Sequence, residues 1–219
     1  METILLKTNC LKKHISDKAE NWLNSFIEEA ELFEVANEWE EFWRDYKEEP
    51  LLTLLATGLA RNDSSKEISI LREYPVSDSK GYVGASDLFL NYHKEQGNYY
   101  KKGRHFFIEA KYKQGRWETG FIDWSEDTLL KFINEVEKQM TFYIEAERIK
   151  EVESYTVIIL FYVTNFKNEG DYLDYLNKVN NYKCKENQFY ALLKSNNPKE
   201  SAYKNFGILE VVGYIKEIL

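Results

Sequence analysis

The stretch GASDLFLNYHKEQGNYYKKGRHFFIEAKY, residues 84–112, decides how the chain is read. It holds two apolar runs of strand character, around residues 88–90 and 106–108, joined by a polar, glycine-bearing connection near Gly97. Each run carries a carboxylate where a core residue is expected, Asp87 in the first and Glu109 in the second, and Lys111 follows two positions later. Residues two apart on a strand share a face, so Glu109 and Lys111 point one way while Ile108 and Ala110 point into the other layer. With the connection near Gly97, the strands pair so that Asp87 lies beside Glu109 on the shared face. Two carboxylates so placed repel and lose hydration unless a cation lies between them.

A few hard oxygen ligands, with room for water and a phosphate, describe a Mg2+ or Mn2+ site rather than a zinc or calcium site. Such an ion acidifies a bound water and neutralises charge building on a phosphate, and the Lys111 ammonium would orient that water or stabilise the developing oxyanion. This is an apparatus for phosphodiester hydrolysis. The plain alternative is a surface ion pair, Glu109 with Lys111, on an edge strand, with Asp87 as an acid near a turn. It leaves unexplained the acid on the preceding strand, the apolar residues flanking both sites and the basic connection.

Outward from this stretch the periodicity predicts the remaining elements. Asp17 and Glu20 have capping spacing, and Trp22, Phe26, Ala30 and Phe33 recur at helical intervals, so a helix is expected from about residue 17. Trp39, Phe42, Trp43 and Tyr46 continue the stripe on an acidic face, and Pro50 suits the first turn of a further helix that ends at the polar cluster 62–65. Strands are expected at EISILREYPV, broken by Pro75, at YVGASDLFLNY and at RHFFIEAKY, as an antiparallel meander. A helix follows over 126–150, with Leu129, Ile133, Val136, Met140 and Tyr143 on one face. YTVIILFYV then reads as a strand buried on both faces, followed by a helix with YLDYLNKV, a segment NQFYALLK and a last strand-like run, FGILEVVGYI.

Asp87 on the second strand, Glu109-Ala110-Lys111 on the third and the α-β-β-β-α-β order over about residues 49–165 resemble the PD-(D/E)XK nuclease superfamily, which includes restriction endonucleases and RecB-type exonucleases. Gln139 and Tyr143, four apart on the following helix, resemble the Q-x-x-x-Y signature of its RecB-like branch. The resemblance implies one α/β domain with a restriction-endonuclease-like core, a central mixed sheet flanked by helices. An acidic helical N-terminal extension (1–48) would precede the core, and a C-terminal helix/strand elaboration (166–219) would follow it. It further implies a Mg2+- or Mn2+-dependent deoxyribonuclease in which Asp87, Glu109 and the Ala110 carbonyl hold the ion and Lys111 assists the attacking water. Gln139 and Tyr143 would position substrate and site, Glu73 on the first strand would support them, and Glu49 or Glu48 before Pro50 would supply the acid that the first helix contributes. The cysteines of the iron–sulfur members are missing.

The charge distribution fits a nucleic-acid partner better than the net charge of −8 suggests. Twelve acids and three bases lie between Asp17 and Glu49, whereas Lys94, Lys101, Lys102, Arg104, Lys111, Lys113 and Arg116 face only Glu95 and Glu109 between residues 94 and 116. These bases, with His105, would bind phosphates of DNA, RNA remaining open, and Tyr99, Tyr100 and Trp117 offer stacking surfaces; a solvated hairpin tip is the alternative. The acidic aromatic helices would meet a protein partner or a second copy of the chain. Cys10 and Cys184 stand isolated, the three histidines lack metal spacing, and no phosphate-binding glycine loop or serine-nucleophile elbow occurs. No run has the length of a membrane span, so a cytoplasmic protein with no membrane partner is expected. The rival of another class is a non-catalytic nucleic-acid-binding or assembly subunit that keeps the nuclease fold; a purely structural interaction protein is a third.

Overall fold

In the computed structural model, which describes residues 2–10, 12–37, 48–63, 67–78, 81–96, 99–115, 119–147, 152–194 and 206–218, strand and helix follow the two periodicities of the sequence. The elements are β1 (Glu2–Asn9), α1 (Lys13–Asn37), α2 (Glu48–Asn62), β2 (Ile68–Asp78), β3 (Gly81–Gln96), β4 (Tyr99–Gln114), a 3-10 turn (Phe121–Asp123), α3 (Glu126–Glu147), β5 (Ser154–Phe166), α4 (Glu169–Asn181), β6 (Gln188–Lys194) and β7 (Phe206–Ile218). One mixed seven-stranded sheet has the order β1-β6-β7-β5-β4-β3-β2. The meander β2-β3-β4 is antiparallel as expected, β4 and β5 run parallel, and β7 lies antiparallel between β5 and β6. None of the described helices is long and apolar enough to cross a membrane.

Alternation on the strands builds the two layers. Leu88, Phe106, Ile108 and Ala110 turn to the face covered by α1 and α2, against Trp22, Phe26, Leu51 and Leu55. Phe89 and Phe107, one step along the same strands, turn to the face covered by α3 and α4, against Val136, Met140, Tyr143 and Tyr175. β5, in the middle, is buried along its whole length, as its unbroken apolar run requires. Pro75 sits exposed on β2, an edge strand, where its missing N–H costs no ladder bond.

The N-terminal part departs from the expected helical extension. Residues 2–9 form β1, an edge strand paired with β6 from Glu2↔Lys194 to Asn9↔Gln188. α1 starts at Lys13, so Asp17 lies inside the helix and does not cap it. Its entry is fixed instead by the Ile15 N–H donating to the Lys12 carbonyl at 2.9 Å and by the Thr8 and Ser16 hydroxyls 2.8 Å apart. With Trp22 and Phe26 fully buried, α1 forms part of the main layer. Trp39, Phe42, Trp43 and Tyr46 lie outside the described residues. α2 begins around Pro50 as read from the sequence, and at its end Asp63 accepts the backbone N–H groups of Glu67 and Ile68 at 3.1 and 2.9 Å, which launches β2.

Two local devices shape the edges. Lys7 on β1 donates its ammonium to the carbonyls of Val179, Asn180 and Tyr182 at 3.3, 3.0 and 2.6 Å, capping the C-terminal end of α4, where the helix dipole favours a cation. The β3–β4 register slips by one residue between Tyr92 and Lys94, and opposite the slip a Cβ on Gly103 would lie 1.2 Å from the Tyr92 carbonyl oxygen. Only glycine fits there, and beyond it the hairpin continues through Lys94↔Lys101 to Gln96↔Tyr99.

Candidate active site

The β3–β4 ladder stops at Leu88↔Ile108, and the next position of the same register sets Asp87 against Glu109. From there the strands part, and side chains take over the bonds a ladder would have made. The Ala110 N–H donates to Asp87 Oδ2 at 2.8 Å, and the buried Ser86 Oγ lies 3.1 Å from the Ile108 carbonyl and 2.9 Å from that of Leu88. On a strand the N–H and C=O of one residue point to the same side, so the Ala110 carbonyl also faces the opening beside Asp87. Glu109 and Lys111 face α3, opposite to Ile108 and Ala110, as the alternation predicted.

Glu109 is only 4 % exposed. Its Oε1 receives the Tyr143 hydroxyl at 2.8 Å and its Oε2 lies 3.6 Å from the Lys111 ammonium. Burial, and then the charge and hydrogen bonding of Asp87, push the Glu109 carboxyl up to about 7, against the opposing pull of Tyr143 and Lys111. The Tyr143 ring stacks on Phe107 at 5.7 Å and 10°, and its hydroxyl also lies 2.5 Å from the Ala85 carbonyl, so one side chain from α3 spans both strands at the point where they separate.

The other residues singled out in the sequence are distributed as follows. Gln139 stands exposed one turn before Tyr143, so of the pair the tyrosine alone is buried against Glu109. Glu73 is opposite Asp87 by register, between Arg72↔Leu88 and Tyr74↔Ser86, with an exposed side chain and a left-handed φ of 48°. That conformation reverses the strand's alternation: Arg72 reaches toward α2, whereas Tyr74 stacks on Phe89 at 4.2 Å on the α3 face. Glu49 is not brought to the carboxylate pair, because α2 packs on the opposite face, where Glu49 lies 3.5 Å from Arg72. Arg104 faces that side too and holds Glu153 at 2.6 Å. His105 is buried edge-on to Phe89 and Phe107. Lys113 continues the Glu109–Lys111 row, with its ammonium 5.1 Å from the Trp124 ring and 4.7 Å from the Phe132 ring. Lys101 and Lys102 belong to the backbone of the hairpin; their side chains, Glu48's side chain, Arg116 and Trp117 lie outside the described residues.

Among the described residues no three His, Cys, Asp or Glu side chains converge, so protein ligands for a cation would be two carboxylates and a backbone carbonyl. The donor set fits a hard divalent ion: all oxygen, few in number, with one carboxyl raised to about 7 first by burial and then by the charge of its neighbour Asp87. Sequence reading passed over a second buried carboxylate, Glu210 of β7, which is fully buried and accepts from Phe121 N–H, Tyr175 and Tyr190. The signal was present as a single acid inside the apolar run FGILEVVGYI. Compared with protein-family models, curated proteins and solved structures, the chain matches none.

Proposed function

We propose that the protein is a metal-dependent nuclease of the PD-(D/E)XK type that hydrolyses phosphodiester bonds, in DNA before RNA. The observation that carries this reading is the pairing of Asp87 and Glu109 at the separation of β3 and β4, with Lys111 3.6 Å from the buried glutamate. An element order α2-β2-β3-β4-α3-β5 supports a restriction-endonuclease-like core, and Tyr143 bound to Glu109 supports the RecB-like branch.

Each side chain has a separate task. Asp87, Glu109 and the Ala110 carbonyl would hold Mg2+ or Mn2+, which when bound would supply positive charge to the phosphate and make water more acidic. The Ala110 N–H fixes Asp87 Oδ2, while Tyr143 fixes Glu109 Oε1. Lys111, about a quarter exposed, orients the attacking water or neutralises the oxygen on which charge develops. Lys113 and the lysines of the β3–β4 hairpin bind flanking phosphates.

The test is incubation of purified protein with linear and circular DNA and RNA, single and double stranded, in Mg2+, Mn2+ or EDTA, beside Asp87→Asn and Lys111→Ala. Ion-dependent cleavage lost in both variants is expected. Binding without cleavage under every condition would replace this reading with the nucleic-acid-binding subunit, and absence of both would remove the nucleic acid altogether.

A further inference from the structure

Glu210 occupies a place that β7 would ordinarily give to an aliphatic residue. Register sets it beside Tyr162 of β5 and Leu192 of β6, and Tyr162 in turn pairs with Lys113 of β4, so Lys113, Tyr162 and Glu210 form one row across three strands. Its Oε1 accepts the hydroxyls of Tyr175 and Tyr190, each at 2.6 Å, and its Oε2 accepts the backbone N–H of Phe121 at 2.8 Å. Burying a carboxylate costs several kcal/mol unless its oxygens are satisfied, as they are here.

The third donor is the informative one, because Phe121 opens the turn between β4 and α3. Tyr175 secures the same turn, accepting the Ile122 N–H at 3.3 Å, and Gly120 lets the phenol ring lie where a Cβ would come within 2.0 Å of it. Asp123 ties the turn to α4 through Lys178 at 2.9 Å. Trp124 follows, its N–H donating to the Phe121 carbonyl at 3.0 Å, and its ring supports the Lys113 ammonium. Lys113 lies four residues from Glu109 on the same face, about 13 Å along the strand.

We propose that Glu210 is a positioning residue for the nucleic-acid contact beside the carboxylate pair: its ionised carboxylate holds the Phe121–Trp124 turn against the sheet and thereby sets the Trp124 ring, one of the two, with Phe132, on which Lys113 rests. This rests on the nuclease reading for its purpose, though not for its geometry. The groups facing Glu210 are Tyr162, Tyr175, Tyr182, Tyr190 and Asp123, with Lys178 beyond Asp123 and Lys113 at the end of the row. Burial pushes the Glu210 carboxyl up to about 7, while Phe121, Tyr175 and Tyr190 pull it down. All three neighbours donate, so an acid proton finds an acceptor only if a tyrosine hydroxyl turns round, and the charge-assisted bond to Phe121 weakens. The turn is therefore tight above pH 7 and loosened below it. Global stability runs the other way, because a carboxyl raised in the folded state favours the protonated fold and loses stability as pH rises through 7. Local tightening is thus separable from a purely structural role.

The test follows the Trp124 indole N–H signal, assigned by its loss in Trp124→Phe, from pH 5.5 to 8.5. Wild type should show a step centred near 7, Tyr190→Phe should move that step upward by removing a donor that favours the anion, and Glu210→Gln should abolish it. No step in wild type, or the same step in Glu210→Gln, overturns the proposal. This readout needs no nucleic acid, so a failed cleavage assay removes the purpose of the arrangement and leaves the coupling of Glu210 to the turn standing. On oligonucleotide substrate at pH 8, Glu210→Gln should raise KM several-fold rather than lower kcat, and should add nothing to Lys113→Ala. A KM equal to wild type would also overturn it.

Discussion

The Tyr143 hydroxyl lies 2.8 Å from Glu109 Oε1 and 2.5 Å from the Ala85 carbonyl, although it has one proton to give. Both oxygens are therefore served together only when Glu109 carries a proton of its own, which its burial beside Asp87 favours.

Removing that hydroxyl should be felt twice. Tyr143→Phe keeps the stacking on Phe107 but leaves the Ala85 carbonyl without this donor and the buried Glu109 carboxyl without this partner, a loss of about 1–3 kcal/mol in urea unfolding. Cleavage should fall by about 10–100-fold, as for residues that orient a metal's ligands. Gln139→Ala, at an exposed position, should change stability by less than about 0.5 kcal/mol. Equal stability of Tyr143→Phe and wild type would reduce the tyrosine to packing alone.

Glu109 should make the ion-free protein less stable as pH rises. Its folded pKa of about 7 exceeds that of an ordinary glutamate, so its neutral form is preferred in the fold and stability is lost between the two values. Melting temperatures of wild type and Glu109→Gln in EDTA should agree at about pH 4, below the ordinary glutamate value, and separate by pH 8, the variant melting higher. Parallel curves across the range would rule out the raised carboxyl.

Lys111→Ala should abolish cleavage while weakening nucleic-acid binding only modestly, the pattern of an interaction made mainly in the transition state. Neutralising Lys101 and Lys102 removes at most two phosphate contacts, so binding should weaken and its logarithmic salt slope should shrink by up to about 2 units. Single-turnover cleavage and binding across a salt series compare the two. Lys111→Ala cutting at the wild-type rate would exclude the assigned role.

Lys7→Met keeps the aliphatic stem and deletes the ammonium that meets three carbonyls at the end of α4. The cost should be about 1–2 kcal/mol, read as a lower urea midpoint at unchanged slope. A midpoint equal to wild type would mean that water replaces the lysine without loss.

The middle of the chain was legible because its signals are local. Alternation around Phe106 and Phe107 defines a strand with two buried faces, and the acids at 87 and 109 stand out against it. β1 left no such trace, since its partner, β6, lies about 180 to 190 residues away and its polar Lys7, Thr8 and Asn9 are accounted for only by α1, α4 and the segment before β6. Glu210 was hidden for the same reason: its donors come from α4, β6 and the turn before α3. Glu49 was misplaced because a sequence does not say which face of a sheet a helix covers.

The insertion of β7 between β5 and β6 also orders events on the ribosome. When β2 to β5 have emerged, β5 still has one open edge, and β1, made first, has no partner until β6 arrives. A long apolar strand waiting in that state can pair with another nascent chain. Mispairing between nascent chains is the expected hazard of that order, and it should be relieved by a slower translation rate through residues 188–218 less than by a lower concentration of nascent chains.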